Sequence, residues 1–166
     1  MRIYVPLLPD DEAGLSATGA LPGRLALAAD RPAWAVTPEA RADRPGEDPE
    51  DLEYDAMQDA VYAALEGSAG TAGGASAKRV TGDRRVGILA GDVPDTALAA
   101  ASATGGAFGV VLTAPAELRI ASAHVTELGA DAARADDTDP ALLWFDVAET
   151  AEALSFLREP YRRERA

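Results

Sequence analysis

The chain has 166 residues and carries 28 Asp and Glu against 15 Lys and Arg, a formal net charge of −13 with a pI near 4.4. That balance argues against a nucleic-acid or anionic-membrane surface, since either would repel the body of the protein. Cysteine is absent, which rules out disulfides, thiolate catalysis and cysteine-ligated zinc or iron–sulfur centres.

The length suits one compact domain, residues 1–166, with a genuine core. Alanine makes up 38 of the residues, so large core formers are few and the elements should pack closely. Lys78 is the sole lysine beside fourteen arginines. GC-rich coding and adaptation to high salt would both leave that signature.

Residues 2–7 alternate Ile3, Val5 and Leu7 with Arg2, Tyr4 and Pro6, the pattern of a strand that Pro6 places at an edge or near its end. The segment MRIYVPLLPDDE lacks the apolar run and small-residue cleavage site of a signal peptide, and no stretch reaches transmembrane length. A cytoplasmic location is the expectation. Residues 24–29 and 33–37 suggest two further strands, and Pro38 ends the second.

Residues 47–66, EDPEDLEYDAMQDAVYAALE, read as one helix with eight carboxylates and no Lys or Arg. Asp48 suits the N-cap, Pro49 the first helical position, and the acidic first turn the positive end of the dipole. At 100° per residue Tyr54, Met57, Val61, Ala64 and Leu65 form an apolar side expected to face a core. Asp51, Asp55 and Asp59 follow at i, i+4 and i+8 on the other side, each like-charge neighbour costing roughly 0.2–0.5 kcal/mol in an isolated helix. This ridge is either a solvated face or a docking surface for a basic partner. Glu53 falls on the flank of the apolar side, where a carboxylate should meet an Arg, accept backbone hydrogen bonds or line a pocket.

Residues 67–77, GSAGTAGGASA, read as a flexible connection. A phosphate loop would need glycine directly before Lys78 and Ser or Thr after it, whereas Ala77 and Arg79 stand there. Dinucleotide and G-x-S-x-G signatures are missing too, so no cofactor is expected. Residues 84–90 and 109–113 are short apolar strands, and 97–103 between them is ambiguous. Residues 118–128 suggest a strand with His124 beside Ile120, Ser122 and Thr126.

His124 is the only histidine, which excludes a multi-histidine metal site. It suits a hydrogen-bonded structural role, or a general base assisted by Glu53 or Asp146. Residues 130–139 suggest a short helix or loop. Asp136, Asp137 and Asp139 offer hard oxygen donors but not at EF-hand spacing, and a solvated loop accounts for them, so no metal is assigned. LLWFDV at 142–147 is apolar except for Asp146, as expected of a buried strand. Residues 149–158 should form a closing helix with Leu154 and Leu157 inward. Arg158, Arg162, Arg163 and Arg165 make a basic tail over 159–166 and its approach, which could pair with Asp51, Asp55 or Asp59, within the chain or across a dimer.

RIYVP at the start, AVTP followed by LEYDAM, and AHV leading to LLWFD together resemble a family of small actinobacterial proteins of unknown function. The resemblance covers most of the chain, departs from the family where an Asp often follows the HV pair and Thr126-Glu127 stand here, and implies no catalytic residues.

The expectation is therefore an α+β or α/β domain, with a mixed sheet of five or six short strands, the long acidic helix on one face and a short C-terminal helix. A non-enzymatic interaction or regulatory module, binding a protein partner or a second copy through Asp51, Asp55, Asp59, Arg158, Arg162 and Arg163, is the leading functional reading. Its alternative is a small enzyme or ligand-binding domain with a pocket around Glu53, His124 and Asp146.

Overall fold

The computed structural model describes residues 1–17, 23–68 and 79–162. Nearly all of the 67–77 connection, and Arg163 and Arg165 of the tail, lie outside the described residues. Strands β1 (Arg2–Pro6), β2 (Arg24–Leu27), β3 (Pro32–Trp34), β4 (Gly87–Asp92), β5 (Leu98–Ala100), β6 (Gly109–Leu112), β7 (Ala116–Thr126) and β8 (Leu142–Asp146) form one sheet. Helices α1 (Pro9–Ser16), α2 (Pro38–Ala42), α3 (Pro49–Glu66), α4 (Ala130–Ala135) and α5 (Thr150–Arg158) complete it. The sequence expectation of a mixed sheet of five or six strands is corrected: among the described residues there are eight strands, and every pairing between them is antiparallel. The strand least expected is β5, from the ambiguous alanine run.

The order is β2-β7-β4-β1-β3-β6-β5. Strand β7 is eleven residues long and binds β4 along one side. Its other side is shared by two short strands in tandem, β2 on residues 116–119 and β8 on residues 122–126. Pro6 is the last residue of β1, where a missing amide costs the ladder least.

Both faces of the sheet are covered. On one, α3 with α2 and α4 packs over Tyr4, Trp34, Ile88 and Phe108. On the other, α5 packs over Val5, Leu89, Ala123 and Val125. Alternation along β1 sends Ile3 and Val5 to the α5 side and Tyr4 to the α3 side. A register shift breaks this parity in β7: Ala90 of β4 faces Ser122, but Gly91 faces Ile120, so Ala121 is an extra residue. Ile120 therefore lies on the α5 side, and His124 does not share a face with it as its spacing suggested. A Cβ at Gly91 would stand 2.5 Å from the Arg119 carbonyl oxygen, so only glycine fits this close approach.

Helix α3 starts where its signals place it. The Asp48 carboxylate accepts from the Glu50 amide at 2.8 Å, Pro49 is the first helical residue, and Gly67 ends the helix with a φ of 75°. Its inward arc is rotated from the expected one. Leu52, Ala56, Ala60, Val61, Ala63 and Leu65 are buried, Met57 and Ala64 only partly, and Tyr54 stands in solvent. Small alanines let the helix lie close on the sheet, and the tyrosine is left on its flank. Among the described residues, no helix is long and apolar enough to cross a membrane.

Candidate functional site

Register across β1, β4, β7 and β8 places Tyr4, Ala90, Ser122 and Asp146 in one row on the α3 face, with Ile88, His124 and Trp144 in the next. The Tyr4 hydroxyl donates to Glu53 Oε2 at 2.9 Å, and burial together with that carboxylate pushes the phenol's pKa well above its ordinary value. The partner of Glu53 is thus a tyrosine, where an Arg or a backbone amide was expected. Arg2 pairs with Asp92 at 3.0 Å, and this hydrogen bond holds the Asp92 carboxyl below the usual carboxylate range.

Ser122 Oγ and His124 Nε2 lie 3.0 Å apart. Burial first, and then the positive charge of Arg2, lower the His124 pKa to about 4, so the imidazole is neutral near pH 7. Neither carboxylate expected to assist His124 is engaged with it. Glu53 is held by Tyr4, and the Asp146 carboxylate accepts from the Ala148 amide at 2.9 Å, capping a turn at Val147–Glu149. Ser122 is buried, which suits a structural hydrogen bond better than a nucleophile. A groove of about 640 Å³ between Asp92, Pro94, Ala116 and Arg119 contains none of Glu53, His124 and Asp146.

The acidic ridge is divided. Asp51 and Asp55 are exposed, but Asp59 is partly buried and accepts from the Ala107 and Phe108 amides. Burial and then the charge of Asp55 raise its pKa. Arg158 does not reach the ridge: it meets Glu12 at 3.3 Å and Ser16 Oγ at 3.1 Å on the opposite side of the sheet. Arg162 is exposed past α5, and Arg163 lies outside the described residues. The far end of α3 is answered by Arg79 and Arg134, at 3.3 and 2.9 Å from Glu66.

An aromatic surface adjoins the exposed carboxylates. Tyr54, Gln58 and Tyr62 follow at i, i+4 and i+8 along one flank of α3. Gln58 Nε2 donates to the Tyr54 hydroxyl at 3.0 Å and to the Pro140 carbonyl at 3.3 Å, and the Tyr62 hydroxyl donates to Asp139 at 2.8 Å. These bonds moor the flank to the segment entering β8. Tyr54 and Tyr62 remain 45% exposed, Leu143 39% and Trp144 59%. The LLWFD strand is therefore an exposed margin of the sheet, not the buried strand its apolar run suggested. Its place beside β7 and nothing else among the described strands is the reason. The i, i+4, i+8 repeat of Tyr54, Gln58 and Tyr62 was the available signal for this surface.

Asp136 accepts from both the amide and the hydroxyl of Thr138, at 3.1 and 2.8 Å, while Asp139 serves Tyr62. Among the described residues, no three His, Cys, Asp or Glu side chains come together to hold a metal ion.

Residues 1–154 match a family of unknown function, DUF6912, and the chain belongs to that family. No curated protein and no solved structure matches it.

Proposed function

We propose that this member of the DUF6912 family is a protein-interaction module that works by binding, and that it takes a basic partner on the surface running from Asp51 and Asp55 over Tyr54 and Tyr62 to Trp144. One observation carries the reading: the flank of α3 that bears two exposed tyrosines and carboxylates meeting no Lys or Arg within their helix is hydrogen-bonded to the segment entering β8, on which Trp144 is 59% exposed. Large aromatic rings in solvent are typical of binding surfaces. Arginine is the side chain that uses both kinds of group, pairing with carboxylates and stacking on aromatic faces. The net charge of −13 favours a cationic partner and disfavours nucleic acid.

Titration with a capped nona-arginine peptide tests this. Trp144→Ala and the double change Asp51→Asn with Asp55→Asn should each weaken binding about tenfold. Asp10→Asn with Asp30→Asn removes as much charge from exposed positions outside this surface and should do less. Equal affinity in all variants would reduce the interaction to bulk charge and dispose of the reading.

A second reading rests on the Arg2, Tyr4, Glu53, Ser122 and His124 groups sharing one face, and treats them as the wall of a small-molecule site. Thermal shift against a metabolite panel tests it, because a ligand at a hundred times its dissociation constant stabilises by about 2.7 kcal/mol. A hit that survives His124→Ala would count against this site.

A further inference from the structure

Strand β8 ends the sheet, and the direction of its backbone groups follows from three observations. Residues facing each other in an antiparallel pair alternate between exchanging two hydrogen bonds and exchanging none. The Glu127 amide donates to the Ala141 carbonyl at 2.9 Å, which fixes the phase: Val125 with Leu143 and Ala123 with Phe145 are the bonded pairs. The Asp146 amide agrees, since it turns from β7 to donate to Glu149 Oε2 at 2.9 Å. Leu142 and Trp144 therefore direct their amides and carbonyls outward, and no other group of the described residues takes those of either.

Such a margin is a template for another strand, and proteins ordinarily blunt it with lysine, proline or a bulge. None of these interrupts LLWFD. Acids bound it instead: Asp136, Asp137 and Asp139 precede it, Asp146 is its last residue and Glu149 follows. A second copy of this chain, laid antiparallel on β8, would bring the acids at the end of one strand against those at the start of the other. Like charges so placed oppose pairing.

From this geometry we infer that β8 receives an extended, arginine-bearing segment of a partner protein by strand addition, its backbone bonding to Leu142 and Trp144 and its cations lying against Trp144 and the flanking carboxylates. The inference rests on the interaction reading above and specifies how the partner is held. Main-chain bonds would supply the affinity and the charged neighbours the selectivity.

The probe is a capped heptapeptide alternating arginine and valine, titrated by calorimetry against the full chain. It should bind. Methylating its alternate amide nitrogens should weaken binding about tenfold, because the charges persist while the strand bonds are lost. Trp144→Pro removes the ring and an amide that points away from β7, leaving the β7–β8 ladder, whereas Trp144→Ala removes the ring alone. The proline variant should therefore bind about tenfold more weakly than the alanine variant. Should the proline variant fail to fold, the methylated peptide decides alone. Parent and methylated peptides binding alike would overturn strand addition and leave the interaction reading standing. Failure of the parent peptide to bind, or equal binding by a glutamate–valine peptide, would overturn both.

Discussion

Arg31 and Asp11 are buried against each other, with Nη2 of the guanidinium 2.6 Å from the carboxylate and 2.6 Å from the Pro6 carbonyl. Asp11 also accepts from the Leu8 amide at 2.8 Å, so the same carboxylate closes the first turn of α1. Removing one partner of such a pair strands the other charge. Asp11→Ala should cost about 3–5 kcal/mol in urea unfolding, and a loss under about 1 kcal/mol would show that Arg31 finds other compensation. His124 makes a different prediction, one of pH. Its folded pKa of about 4 lies below the 6.5 of the free side chain, so the unfolded chain binds the extra proton between those values. Its contribution is complete above pH 6.5 and is lost as the pH falls towards 4, amounting to at most about 3 kcal/mol. His124→Gln should flatten the stability profile over that window; an unchanged slope would assign the pH dependence to other groups.

Helix α3 and the turn at Gly106 constrain each other. Gly106 has a φ of 71°, and a Cβ there would fall on the Asp59 carboxylate that accepts from Ala107 and Phe108. Gly106→Ala should lower stability by about 1–2 kcal/mol from the backbone alone, with more from the displaced carboxylate. Gly46→Ala, where a Cβ meets nothing within 4 Å, is the control, and equal melting temperatures would contradict the described contact. The same helix shows what its sequence could reveal. Asp48 and Pro49 act within one turn, so the start of α3 was legible. Which side faced inward was not, because alanine is small enough to be buried anywhere, and sheet geometry chose the Ala56 and Ala60 side over Tyr54. Asp59 looked like its exposed neighbours Asp51 and Asp55, although a loop nearly fifty residues away holds it. Ser122 was legible as a neighbour of His124, two residues away on the same strand, whereas Tyr4 meets Glu53 only because α3 packs across β1, which no local pattern encodes. The apolar run of β8 misled for a related reason: strand order, not composition, decides whether such a strand is central or marginal.

At the scale of the molecule, charge is poorly compensated. Most ion pairs among the described residues, such as Arg2 with Asp92 and Arg79 with Glu66, are exposed and contribute roughly 0–1 kcal/mol each. Self-repulsion should therefore be visible in the melting temperature, which is expected to rise with added salt and to level off by a few tenths molar, where the Debye length falls below about 6 Å. A continued rise into the molar range would point to a salt-adapted surface, and a fall would contradict net repulsion. The tandem arrangement of β2 and β8 along one side of β7 has a further consequence. Two short strands that share a neighbour but do not bond to each other need not open together, so the sheet can fray at one corner while its centre holds. Amide exchange at Leu143 and Phe145 should then be faster than at Leu118 and Leu89, and a strand added along the outer side of β8 should slow it by holding that corner closed.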